Sequence, residues 1–176
     1  MAEAVLTRRS VVKNEYQKLA DITVSGSAVT QVDISGLNIG KGEEITLVCD
    51  ISHSSSGGVG LLVNTNYTQT NYYTQDCGAN STTVSRSRSN KSMFVYGVNS
   101  SSKTLSIIKI KLTNNGYIVY QSESIREYVG TSVALTNFYT TTTFTITSLT
   151  SIRILSETSN QIGIGSRFQL YKVGGV

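Results

Sequence analysis

The side chain best suited to proton transfer near neutral pH is His53, the single histidine of the chain. It stands among serines, Ser52-His53-Ser54-Ser55-Ser56, with Asp50 close enough in sequence to orient an imidazole. General acid–base or nucleophilic catalysis needs convergent ionisable groups, and eleven acidic residues with one histidine supply few of them. His53 is therefore read as a solvent-exposed loop residue and not as a base. Glycoside hydrolysis would need two facing carboxylates. In the second half of the chain only Glu123 and Glu127 are close enough to try, and they read as loop charges. No catalytic residue is expected, and the chain reads as a non-enzyme.

Metal chemistry fares no better. Cys49 and Cys77 do not form a C-x-x-C pair, and with His53 they make too few soft ligands for a structural zinc site. Both are expected as free thiols, Cys49 buried, because one possible bridge does not make a disulfide scaffold. Gly57, Gly58 and Gly60 follow the serine run and predict a mobile loop. They lack the following Lys-Ser/Thr and helix of a phosphate-binding loop, so no nucleotide cofactor is expected.

Recognition chemistry remains. Tyr67, Tyr72, Tyr73, Tyr96, Tyr120 and Tyr128 could stack on sugars beside Asn and Asp partners, although tryptophan, the largest stacking surface, is absent. The net charge is +4 and its cations are scattered, apart from Arg86, Arg88 and Lys91 and the pair Lys109 and Lys111. A nucleic-acid binder would show a concentrated basic stripe. Sequons begin at Asn66, Asn80, Asn90 and Asn99, as chance produces in a chain rich in Asn, Ser and Thr. No apolar run approaches a membrane span, and no apolar stretch after Arg8 and Arg9 makes a signal peptide. The expectation is a protein made in a cytoplasm, with neither nucleic acid nor membrane as partner.

The elements that would position these groups are strands. A chain of 176 residues fits one folding unit. Residues 1–18 mix charged and apolar side chains without period-2 order and read as an N-terminal arm. From Leu19 to residue 176 the pattern is of strands separated by turns about every eight to twelve residues, an all-β, antiparallel β-sandwich or barrel. Ile45, Leu47, Cys49 and Ile51 alternate with polar neighbours, as do Phe144, Ile146 and Ser148. Lys109 and Lys111 alternate with Ile108, Ile110 and Leu112 and read as the wet face of a half-buried strand. Asn115-Gly116 predicts a hairpin with a two-residue type I′ turn, which sets Leu112 opposite Val119 and Lys111 opposite Tyr120. The Thr140–Thr143 run reads as sheet surface. Proline is absent, and nothing in the pattern explains it.

One resemblance adds to this. Thr147-Ser148-Leu149-Thr150-Ser151-Ile152-Arg153-Ile154, followed by Gly163-Ile164-Gly165-Ser166-Arg167-Phe168-Gln169-Leu170-Tyr171-Lys172, resembles the strand pair that closes jelly-roll domains of bacteriophage virion proteins. Asn64 to Tyr73 is similar to an Asn- and Tyr-rich segment of the same proteins, with Asn66 where an aspartate is frequent. The resemblance implies a jelly-roll-like sandwich over residues 19–173. It also implies a virion structural role: capsid decoration (cement) protein, head fibre, or receptor- or carbohydrate-binding piece of a tail fibre, commonly as a homotrimer. A compact domain with a short arm suits the first. The expected partner is then the major capsid protein, the expected place the capsid exterior, and the expected action mechanical stabilisation, with the arm reaching neighbouring subunits.

Overall fold

The computed structural model describes residues 16–80, 83–128 and 132–173. Among them are twelve strands. In chain order the first six are β1 (Tyr16–Thr23), β2 (Gln31–Ile39), β3 (Glu44–Ser52), β4 (Gly57–Val63), β5 (Tyr72–Asn80) and β6 (Thr83–Ser89). The rest are β7 (Val95–Val98), β8 (Lys103–Leu112), β9 (Ile118–Tyr128), β10 (Ser132–Thr142), β11 (Leu149–Ser156) and β12 (Arg167–Val173). The expected arm lies outside the described residues over 1–15. Residues 16–18 do not belong to it: Tyr16, Gln17 and Lys18 already pair with Val173, Lys172 and Tyr171.

The strands form an eight-stranded sheet, β1-β12-β3-β8-β9-β10-β5-β6, and a four-stranded sheet, β2-β11-β4-β7. Every strand pair is antiparallel. With β5-β6 and β9-β10 set aside, the chain switches sheet at every step from β1 to β12 except from β4 to β7, which pair within the small sheet. The two remaining four-stranded sheets, β1-β12-β3-β8 and β2-β11-β4-β7, have jelly-roll order. The two additional hairpins both join the large sheet beyond β8, and they make its outer face wide. This is the all-β sandwich that the patterning predicts.

The core lies between the sheets. β3 presents Ile45, Leu47, Cys49 and Ile51 inward, β8 Ile108, Ile110 and Leu112, β11 Ile152 and Ile154, and β12 Phe168 and Leu170, all buried. Burying one face of each strand fixes its register, because a one-residue slip would turn the apolar set to water. Towards β10 and β5 the interior becomes hydroxylic. Ser106 and Ser124 share a 2.7 Å hydrogen bond, and Ser124 Oγ donates to the Phe94 carbonyl at 2.7 Å. Thr74 and Thr140 share another at 2.7 Å. Thr140 and Thr142 are thus buried, so half of the threonine run expected on the surface faces inward.

Four local expectations fail for identifiable reasons. The hairpin between β8 and β9 is not a two-residue turn. Gly116 N–H donates to Thr113 O and Thr113 N–H to Tyr117 O, both at 2.9 Å, and only Gly116 in the loop has positive φ, at 88°. This is a type I turn over Asn114-Asn115 followed by a left-handed glycine, the three-residue loop. Leu112 then faces Ile118 and Lys111 faces Val119, and Tyr120, expected opposite Lys111, pairs with Ile110 and is buried. Residues 143–148 form no strand. They carry the chain from the large sheet back to the small one, Ile146 N–H donating to Gly116 O at 2.8 Å.

The glycine run is no mobile loop either. It opens β4, where a Cβ at Gly60 would sit 2.2 Å from Ser92 O and one at Gly58 2.6 Å from Met93. Small residues there let segment 91–94 lie against the strand, with Phe94 N–H donating to Val59 O at 3.0 Å. Finally, β11 and β12 are not partners of each other. β11 pairs with β2 and β4, and β12 with β1 and β3.

Candidate functional site: the outer face of the large sheet

The groups weighed for catalysis scatter. His53 is buried, not exposed: it bridges to Ile162, shares a 2.9 Å hydrogen bond between Nε2 and Thr104 Oγ1, and has Gln161 Nε2 at 3.5 Å from Nδ1. Burial, and then the positive charge of Arg126, push its pKa down to about 4, so it is neutral at pH 7. A neutral imidazole on a threonine hydroxyl inside the fold is a packing element. Asp50 points to solvent from β3. Glu123 and Glu127 are not loop charges but exposed positions of β9, Glu127 opposite Lys103 and Glu123 opposite Ile107. Among the described residues no group of three or more His, Cys, Asp and Glu could hold a metal ion.

Cys49 is buried and Cys77 exposed, and both are free. In the sheet β8, β9 and β10 separate their strands, roughly 19 Å at the usual spacing, far beyond disulfide reach. Burial pushes the Cys49 thiol far up.

The six tyrosines named from the sequence divide sharply. Tyr72 and Tyr120 are buried. Tyr72 Oη accepts from Val63 N–H and donates to Asn66 O, each at 2.9 Å, and Tyr120 Oη shares a 2.6 Å bond with Ser92. Tyr67 has one face covered by the Arg153 guanidinium, 3.7 Å from its centroid, which Asp33 holds in a two-point ion pair. The Tyr96 and Tyr128 side chains lie outside what is described. Of the four whose side chains are described, Tyr73 alone is left as an open ring, 54% exposed on β5. A seventh, Tyr139 on β10, is 51% exposed and was not singled out from the sequence. Its signal was available: Val133, Leu135, Asn137, Tyr139 and Thr141 alternate with Ala134, Phe138, Thr140 and Thr142.

Antiparallel pairing carries side chains of five strands into transverse rows across the outer face, because directly opposed residues point the same way. One row runs Lys109–Gln121–Tyr139–Gln75–Arg88 from β8 to β6. Beside it stand Lys111, Val119, Thr141 and Tyr73. Together they line a cleft of about 730 Å³ whose wall also includes Glu44. Farther along the same strands runs a second row, Leu105–Ile125–Leu135–Ala79–Val84. Leu105, Ile125, Leu135 and Val84 are 45%, 49%, 53% and 75% exposed, and Val133 and Ile107 extend the apolar area. The face thus has an apolar end and a cationic, aromatic end. Compared with protein-family models and with curated proteins, the chain matches none.

Proposed function

We propose that the chain is a non-enzymatic structural protein of a bacteriophage particle, a decoration protein that binds the outside of the capsid as a trimer and stabilises it. The observation that carries this reading is the apolar row across five strands. A soluble protein that leaves large aliphatic side chains in one continuous band on a sheet face has a protein partner to cover them. The jelly-roll order and the resemblance of the β11 and β12 segments to closing strands of virion proteins support the choice of a capsid as that partner. The action is mechanical. Each copy binds only the assembled shell, so its binding free energy adds to the work of separating subunits. Many copies multiply a modest gain.

The test uses capsids stripped of the protein and the full chain added back. The double variant Ile125→Lys/Leu135→Glu should stay folded, since exposed positions away from caps and cores change stability by about 0.5 kcal/mol or little more. It should no longer sediment with capsids, whereas the unchanged chain should bind and raise the temperature at which particles open. Sedimentation equilibrium should give three times the 19.0 kDa chain mass. Capsid binding by the double variant, or binding of the unchanged chain to host cells and not to capsids, would refute the proposal.

A further inference from the structure

The cationic, aromatic end of the same face has a different chemistry from the apolar row, and it does not need the capsid to explain it. Its volume, about 730 Å³, is in the range of pockets that enclose most of a small ligand. Tyr139 stands at the centre of the row, with Gln121 and Gln75 opposite it on the flanking strands and Lys109 and Arg88 at the ends. Tyr73 lies diagonally from Tyr139, beside Thr141. Neither ring stacks on another ring or on a cation among the described residues. Lys109, Lys111 and Arg88 make no ion pair among those residues either. The carboxylate facing them is Glu44, opposite Lys111, while Glu123 and Arg86 stand one row away, outside the lining. Among the described residues the cleft therefore offers open aromatic faces in the middle, flanked by the Gln75 amide and by Gln121, whose Nε2 donates to Tyr139 Oη at 3.5 Å, with an excess of unpaired positive charge on both sides.

We propose that this cleft binds an acidic oligosaccharide in which charged sugars alternate with neutral ones. An aromatic face takes the apolar face of a pyranose, and amide side chains bond its hydroxyls in two directions. Tyr139 with Gln75 and Gln121 does this for a neutral sugar. Lys109 with Lys111, and Arg88 on the far side, meet the carboxylates of its neighbours. The spacing decides against single-stranded nucleic acid. Lys109 and Arg88 are separated by four strand spacings, roughly 19 Å, with uncharged side chains between. A nucleic acid carries a charge on every nucleotide and asks for cations along the whole groove. The site is separate from the apolar row and goes beyond the decoration role.

Calorimetric or NMR titration of the full chain with hyaluronan hexasaccharide, whose glucuronates alternate with N-acetylglucosamine, tests the proposal against neutral chitohexaose and oligo(dT). Hyaluronan should bind at least about tenfold more tightly than chitohexaose, and more weakly as salt is raised. Tyr139→Ala should abolish binding and Tyr139→Phe should keep it, which separates loss of the ring from loss of the fold. Lys109→Gln/Arg88→Gln should erase the preference for the acidic chain, and Ile125→Lys/Leu135→Glu should leave it intact. Equal binding of chitohexaose, tighter binding of oligo(dT), or no binding of hyaluronan at millimolar concentration would each overturn it.

Discussion

His53 links stability to pH through a proton it refuses. Its pKa falls from the ordinary 6.5 to about 4 in the folded protein, so between those values the unfolded chain binds a proton that the native one does not. Stability from this group is complete above pH 6.5 and is lost as pH falls towards 4, by roughly 3 kcal/mol at most. Urea titrations at pH 7 and pH 4.5 should show the loss, and His53→Gln should reduce that pH dependence. Asp21 acts in the same direction lower down, since Arg167, and then Lys18, hold its carboxyl well below the usual range. Gly60 is a steric requirement. Gly60→Ala should cost about 1–3 kcal/mol, seen as a lower denaturation midpoint, because its methyl would meet a backbone carbonyl and not a movable side chain. Neither property was legible in the sequence. Thr104, Gln161 and Ser92, which decide them, are remote along the chain, and only local neighbours pointed to a loop.

At the scale of elements, what could be read was whatever one buried face enforces. Strands β3 and β8 alternate without a fault because each has one face in the core, and their inward residues are those expected. Residues 143–148 alternate too, but Phe144 and Ile146 pack on the core from a connection, and alternation alone does not distinguish a strand from an extended loop. The β8–β9 hairpin shows the same limit. Asn115-Gly116 marks the turn, yet Asn114 before it allows a type I turn, which places a single left-handed residue at Gly116. The slip by one residue moves Tyr120 from surface to core. Cross-strand NOEs should connect Leu112 with Ile118 and Lys111 with Val119. Gly116→Val should destabilise by about 1–3 kcal/mol, since it combines a positive φ with a Cβ 2.8 Å from Ile146 O.

For the whole molecule, the fold class was legible and the site was not. Period-2 patterning reports that sheets exist, but the rows Lys109–Arg88 and Leu105–Val84 unite residues as far apart in the chain as Gln75 and Tyr139, and only the sheet order brings them together. Tyr139 gained its place from Gln121 and Gln75, which no local motif joins to it. The separation of the two cysteines follows from the same sheet order. Cys77 stands in the row Ile107–Glu123–Asn137–Cys77–Arg86, between the apolar and the cationic ends, while Cys49 points inward from β3. One thiol-specific reagent therefore reads two events in a single sample. Maleimide should modify Cys77 at once on the free protein and slowly when the face is covered, a footprint of docking. It should reach Cys49 only when the sandwich opens, so the arrival of the second adduct in a mass spectrum times global unfolding under native conditions.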